Sequence, residues 1–410
     1  MLSCRICKNT ISHPFFSLGN MPLANSFLSE ADLKSKEEFY PLDVYFCNNC
    51  SFMQINEVKT IDQIFSHSYA YYSSYSETWL RHCATYAKNM IARFKLNPNS
   101  LVMEIASNDG YLLQFFREKN ISVHGIEPAS NVAQVAIKEK QIPTDIAFFN
   151  TKYAQTLKDQ GVQADFMIAN NVLAHTPHLN DFVEGFKMSL KPTGIGTLEF
   201  PHLLNLLTYN QFDTIYHEHF SYFSLISVEK LFQRHGLKIF DVDEIPTHGG
   251  SLRIYVAKEN NATLKISNSL NKLKKKELDA GITQSGTYTQ FKDNVVKFKP
   301  KFTKFLKDLK RRGGAIVGYG APAKGNTLLN YCGITSEIIP YTVDSNPHKQ
   351  MKFLPGTHIL VRNPKIIKEN KPKFVLILPW NIKEEITHQL NYIREWGGRF
   401  IVPIPEPVII

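Results

Sequence analysis

Four of the six cysteines fall in two C-x-x-C pairs, Cys4 with Cys7 and Cys47 with Cys50, separated by 39 residues. Each pair presents two thiolates from one tight knuckle, and four soft sulfurs close a tetrahedral site around zinc with no position left for water. A closed site of this kind is structural. A redox dithiol and chance spacing are the competing readings, and the absence of a thioredoxin-like context favours the metal. Residues 1–66 contain few apolar runs, so the module they form has little core of its own and leans on the ion for stability. Cys83 and Cys332 lack partners and read as buried thiols.

With 410 residues and 43% hydrophobic content, the chain exceeds one ordinary core and divides into two or three domains. No apolar run reaches membrane-spanning length, and Met1-Leu2-Ser3-Cys4-Arg5 lacks the basic-then-apolar pattern of a secretory signal, so a cytosolic protein without membrane contact is expected. The net charge of +10 would suit a polyanion, but apart from Lys272-Leu273-Lys274-Lys275-Lys276, read as a solvated helix face, the basic residues are dispersed. A nucleoside diphosphate is anionic too, so charge does not separate nucleic acid from a small nucleotide.

The expected domains are 1–66, 67–262 and 263–410. An aromatic run, Tyr69-Ala70-Tyr71-Tyr72-Ser73-Ser74-Tyr75, precedes an amphipathic helix through Leu80, Tyr86, Met90 and Phe94. Its phenols and hydroxyls suit the lip of a polar ligand site, with Tyr72 and Ser74 as contacts; packing on the helix is the alternative. Short apolar strands then alternate with helices: Leu101 to Ala106, Val123 to Ile126, Phe166 to Ala169, Gly196 to Phe200, then paired strands near Leu237 to Val242 and Leu252 to Val256. This predicts an α/β fold, a mostly parallel sheet covered on both faces and closed by a late hairpin. After a polar, lysine-rich helical connection, strands from Gly314, Ile338 and Phe374 begin a second α/β unit.

Ligands of such sheets bind at the carboxyl edge, where Val102-Met103-Glu104-Ile105-Ala106-Ser107-Asn108-Asp109-Gly110 turns from strand to helix. The turn has one glycine and lacks G-x-G-x-x-G, which argues against NAD. Glu127, 17 residues beyond Gly110 and after the second strand, can hydrogen-bond the hydroxyls of an adenosine ribose. Here the chain resembles class I methyltransferases that use S-adenosylmethionine. The resemblance assigns cofactor binding to Glu104, Ala106, Asn108, Asp109, Gly110 and Glu127, and to Asn170 and Asn171 where the fourth strand ends; Phe148 and Phe149 would flank the adenine or pack in the core.

Seven residues, Tyr216-His217-Glu218-His219-Phe220-Ser221-Tyr222, crowd two imidazoles, a carboxylate and two phenols together. The zinc reading of H-E-x-x-H fails because position 221 is Ser. Taken with the cysteine pairs, His248-Gly249-Gly250-Ser251-x-Arg253 and Gly318-Tyr319-Gly320-Ala321-Pro322-Ala323-Lys324-Gly325, nearly the whole chain resembles sugar C-methyltransferases, which methylate a ring carbon of nucleotide-linked 4-keto-6-deoxy sugars. Carbon becomes nucleophilic only once a proton alpha to a carbonyl leaves, so a base and an enolate stabiliser are needed. The resemblance implies His219 as base, Glu218 binding sugar hydroxyls or orienting the imidazole, and Tyr216 and His175 near the keto oxygen. In an extended segment His217 would face away from His219 and is read as structural. His202 and Arg253 are expected to line the substrate pocket, with a hairpin turn and surface arginine as the alternative for the latter. Tyr319, Lys324 and Asp344 would hold the nucleotide of the donor sugar, Lys324 at the diphosphate and Asp344 at the ribose. The rival class is a zinc-ribbon adaptor binding nucleotide or nucleic acid without catalysis; an O- or N-methyltransferase on the same fold is the other.

Overall fold

The computed structural model describes residues 2–64, 72–75 and 77–410; Tyr69, Ala70 and Tyr71 of the aromatic run lie outside the described residues. In the amino-terminal module, strands Phe16–Met21, Tyr40–Cys47 and Phe52–Ile55 form an antiparallel sheet. Alternation in Tyr40–Cys47 turns Leu42, Val44 and Phe46 to one face. That face packs on the 27-residue helix Ser285–Arg311, where Phe46 stacks on Tyr288 at 3.8 Å and Phe16 meets Phe291 edge-on at 6.4 Å. The fourth strand of this sheet, Ser221–Tyr222, comes from the histidine-rich heptad and pairs Ser221 with Gln54 and Tyr222 with Met53.

The middle domain carries a seven-stranded sheet in the order Leu237–Ile245, Ser251–Lys258, Leu190–Pro201, Ala164–Asn170, Leu101–Ile105, Ser122–Ile126, Thr144–Asp145. The five strands from Leu190–Pro201 to Thr144–Asp145 run parallel, and Ser251–Lys258 inserts antiparallel between its hairpin partner and Leu190–Pro201. Central strands are covered on both faces, which is why Phe166-Met167-Ile168-Ala169 reads as an unbroken apolar run. Helix Glu77–Phe94 buries Cys83, Tyr86, Ala87 and Met90, one stripe at helical spacing.

The carboxy-terminal sheet runs Leu360–Arg362, Tyr341–Val343, Ile316–Tyr319, Phe374–Ile377, Arg399–Val402, Val408–Ile409, parallel except for the last. Helix Asn268–Asp279, expected to open the third domain, buries Leu270 and Leu273 with Leu237, Ile239 and Val256 of the middle sheet.

All three units meet around the heptad. Leu28 exchanges two backbone hydrogen bonds with Phe353, at 3.0 and 2.8 Å, tying the amino-terminal module to the carboxy-terminal domain. A small cavity is lined by Met21 and Ala24 of the first, Tyr216 and His217 of the second, and Asn326 and Asn330 of the third.

Candidate active site

At the carboxyl edge of the middle sheet the turn after Leu101–Ile105 is left-handed at alternate residues: Ala106 has φ 54°, Asn108 φ 49° and Gly110 φ 74°. A Cβ on Gly110 would lie 2.5 Å from Ile142 Cδ1, so glycine is needed for space as well as for conformation. Glu127 fixes the turn, accepting from the Asn108 amide at 2.9 Å and from the Ala129 amide at 2.8 Å. Burial pushes its carboxyl up to about 7. The second lone pair of each oxygen stays available for a hydroxyl.

Buried acceptors without donors gather at this edge. The Glu104 carboxylate is fully buried and, the Tyr111 phenol aside, meets no donor among the described residues; burial raises it well above the carboxylate range. Asp109 Oδ1 has Lys140 at 3.7 Å, and Asn170 Oδ1 has no partner among the described residues. A ligand rich in donors, an ammonium and ribose hydroxyls, matches these acceptors, so the residues fit S-adenosylmethionine. Asn171, left-handed at φ 56°, donates its amide to the Glu199 carbonyl at 2.7 Å and sets the strand end. Phe149, half-buried, meets Phe182 edge-on at 5.5 Å at the margin of the core.

Tyr72 and Ser74 belong to this cofactor turn rather than to a sugar lip. The Ser73 amide donates to Asn108 Oδ1 at 2.9 Å, the Ser74 amide to Asp109 Oδ2 at 3.3 Å, and Lys140 bonds the Ser74 hydroxyl. The Tyr72 hydroxyl accepts from Asn131 at 3.0 Å while its ring stacks on His348 at 5.7 Å.

The heptad brings His219, Tyr216 and Glu218 together with His175. His219 Nδ1–H donates to the Thr214 carbonyl at 2.9 Å, which leaves Nε2 as the acceptor for the Tyr216 hydroxyl at 2.7 Å. The His175 ring lies edge-on, 4.7 Å from that of His219, and its Nδ1–H donates to the Glu218 carbonyl at 2.8 Å. Burial lowers both imidazoles, His175 to about 4 and His219 well below the usual range, so both are neutral at pH 7. Burial also lifts the Glu218 carboxyl to about 7. His217 turns the other way, donating Nε2–H to the Pro41 carbonyl at 3.3 Å.

In the carboxy-terminal domain the Asp344 carboxylate accepts the Ala321 amide and the Asn346 amide, each at 2.8 Å. This repeats the Glu127 pattern: an acid after the second strand takes one amide from the first turn and one from two residues onward. Lys349 lies 3.9 Å from Asp344 and donates to the Ala321 carbonyl at 2.9 Å. Lys324 is committed elsewhere. Its ammonium donates to Asn381 at 2.8 Å and sits 4.7 Å over Trp380, whose indole N–H binds buried Asp213 at 2.6 Å. Burial brings Lys324 down to about 8 despite the Asp213 charge.

Three residues expected as substrate contacts have partners within the protein. His202 is fully buried with Nε2 2.7 Å from Glu277, a carboxylate that also accepts the Leu225 and Ile226 amides at 2.6 and 2.9 Å and so caps the helix Leu225–Gln233. Arg253 donates Nε–H to buried Glu199 at 2.7 Å, reaches Asp243 at 3.5 Å and lies 4.7 Å over Tyr86. Tyr319 spends its hydroxyl on Gln389 at 2.8 Å. Sequence reasoning in turn assigned no role to Trp380, Lys349 and Asn25, which stand in no motif, nor to His248, left-handed at φ 55° with its ring 5.4 Å from Trp79.

The four expected metal ligands converge: all four sulfurs of Cys4, Cys7, Cys47 and Cys50 lie within 4.8 Å of one another, close to the sulfur separation of about 3.8 Å that tetrahedral Zn–S bonds of ~2.3 Å impose. Zinc there is a structural cofactor.

Known proteins agree with this layout. Family models match a zinc binding domain over residues 4–65, a methyltransferase domain over 79–242 and a C-methyltransferase C-terminal domain over 246–405. The C-methyltransferase NovU of Streptomyces niveus is 34% identical over 407 residues, covering 99% of this chain and 96% of the relative. Among solved structures, magnesium protoporphyrin IX methyltransferase from Synechocystis PCC 6803 with bound SAM is 14% identical over 44% of this chain and 79% of that one, with a TM-score of 0.34. TrmN from Thermus thermophilus is 14% identical over 43% and 48%, with a TM-score of 0.31. The strand order, the Glu104–Gly110 turn and the matched methyltransferase domain define a class I methyltransferase using S-adenosylmethionine. The chain belongs to the S-adenosylmethionine-dependent C-methyltransferase family with an amino-terminal zinc-binding domain. Among the described residues, no helix is long and apolar enough to cross a membrane.

Proposed function

We propose that the protein methylates a ring carbon of a nucleotide-linked 4-keto-6-deoxy sugar, with His219 removing the proton alpha to the ketone, a step of branched deoxysugar formation. One observation carries the reading: Thr214 fixes the His219 tautomer so that Nε2 presents its lone pair, with the Tyr216 phenol 2.7 Å away. S-adenosylmethionine, held by Glu104, Asn108, Asp109 and Glu127, supplies an electrophilic methyl group when bound.

The burial that keeps His219 neutral also penalises the imidazolium. Proton removal therefore goes forward only as a negative charge forms beside it, which is what an enolate provides. In this reading Tyr216 swings its hydroxyl from Nε2 to the developing oxyanion, His175 borders the same position, and Glu218 takes a sugar hydroxyl. Asp344 accepts the ribose of the sugar nucleotide in the cradle that parallels Glu127.

The test is incubation with labelled S-adenosylmethionine and a panel of dTDP- and GDP-linked keto sugars. A carbon-bound methyl by mass and NMR is expected. A methyl on oxygen or nitrogen, or no product with any sugar while the cofactor binds, overturns the proposal.

A further inference from the structure

The heptad is held by the zinc module as much as by its own domain. Arg5 sits inside the first C-x-x-C knuckle, between Cys4 and Cys7. Its amide donates to Gln54 Oε1 at 2.9 Å, and its Nη1 donates to the Ile55 carbonyl at 2.7 Å and to the Phe220 carbonyl at 3.1 Å. Phe220 follows His219 directly, and its carbonyl also accepts the Ile55 amide at 3.1 Å. The guanidinium lies 5.5 Å over the Phe220 ring. Arg5 is 8% exposed, and the negative groups acting on its charge are the Glu57 carboxylate and the Cys4 thiolate. Its Nη1 holds two carbonyls on adjoining segments, Ile55 of the zinc module and Phe220 of the heptad.

A second contact comes from the loop after strand Phe16–Met21, where the Asn25 side-chain Nδ2 donates to Glu218 Oε2. Asn25 is exposed, but its loop is anchored, since the Ala24 carbonyl accepts from Asn326 at 2.5 Å and Leu28 pairs with Phe353. The groups facing Glu218 are Asn25 from the zinc module, Lys349 from the carboxy-terminal domain, and His175 through the Glu218 carbonyl, with Tyr216 and His219 flanking it in its own segment.

We propose that Arg5 and Asn25 are positioning residues of the reaction, through which the zinc module sets the places of His219 and Glu218. The proposal rests on the C-methylation reading above. Zinc fixes the knuckle, the knuckle fixes Arg5, and Arg5 fixes the backbone one residue after the base; Asn25 sets the carboxylate one residue before it. Misplacement of reacting groups by about 1 Å is worth roughly 10²-fold in rate.

Three variants test this: Asn25→Ala, Asn25→Asp and Arg5→Lys, each assayed for zinc content, melting temperature, kcat and KM for both substrates, and the pH profile of kcat. In both Asn25 variants kcat should fall about 10- to 100-fold with zinc, melting temperature and the KM for S-adenosylmethionine unchanged. The acid limb should move to higher pH, further for Asn25→Asp, whose charge repels the Glu218 carboxylate. Arg5→Lys should keep zinc and lose kcat, because the lysine side chain ends one bond short of the Nη1 that holds both carbonyls. Wild-type kcat and pH profile in both Asn25 variants would overturn the proposal, as would rate losses that track zinc or melting temperature. A wild-type protein that turns over no keto-sugar nucleotide instead defeats the C-methylation reading. Positioning is then judged from ¹⁵N-histidine spectra, which should show the Nδ1–H tautomer of His219 in the wild type and its loss in Arg5→Lys; an unchanged spectrum refutes it.

Discussion

Replacing Arg253 by Met separates a substrate contact from a structural ion pair. Glu199 is completely buried, and its carboxylate is held by two Arg253 nitrogens at 2.7 and 2.5 Å and by His82 at 3.4 Å. Burial alone would raise its pKa, but His82 and Arg253 together outweigh that and hold it below the ordinary value. Removing one partner of such a buried pair costs about 3–5 kcal/mol, because the remaining charge stays desolvated. For a domain of this size each kcal/mol lowers the melting temperature by roughly 2–4 °C, so a fall of about 10 °C is expected. The double variant Glu199→Leu with Arg253→Met should recover much of it, since no stranded charge is left. A group with a depressed folded pKa lends stability above its unfolded pKa and loses it as pH falls through the folded value; the gap between Arg253→Met and wild type should therefore be full at pH 7 and close in acid. The assay is thermal unfolding followed by circular dichroism, paired with the KM for the sugar nucleotide in the folded variant. An unchanged melting temperature with a tenfold higher KM would refute the structural role and return Arg253 to the substrate pocket.

Gly110→Ala puts a methyl 2.5 Å from Ile142 Cδ1 and 3.2 Å from Ala136 Cβ at a φ of 74°, so affinity for S-adenosylmethionine by calorimetry should drop at least about tenfold, reflecting ~1–3 kcal/mol of strain in the turn. Cys47→Ser should take bound zinc from one ion per chain to substoichiometric and lower the melting temperature, both read on the same sample by metal analysis and calorimetry. Because burial raises the Glu218 carboxyl to about 7, it ionises only above that pH; kcat should rise through pH 7, and Glu218→Gln should remove that limb from the profile.

The strands of the two α/β units were legible wherever both faces are buried, as in Phe166-Met167-Ile168-Ala169, because an apolar run needs no knowledge of its partners. Edge strands of two or three residues, Thr144–Asp145, Leu360–Arg362 and Val408–Ile409, carry no such pattern and went unread. The metal ligands were legible because sulfur spacing is local. The buried partners of His202 and Arg253 were not legible because they lie far off in sequence: Glu277 is 75 residues from His202, and Glu199 is 54 from Arg253. The same limit hid Asn25, 193 residues from Glu218.

Carbon chemistry with His219 as base is tested most directly by proton exchange without methyl transfer. The protein would be mixed in deuterium oxide with a dTDP-linked 4-keto-6-deoxy sugar and S-adenosylhomocysteine, and the signal of the proton alpha to the ketone followed by NMR. The wild type should wash that proton out while His219→Ala, still binding cofactor, slows the loss by about 10²- to 10⁴-fold. Equal exchange rates in the two proteins would contradict the assignment of the base, and no exchange above the solvent rate in the wild type would contradict the chemistry itself.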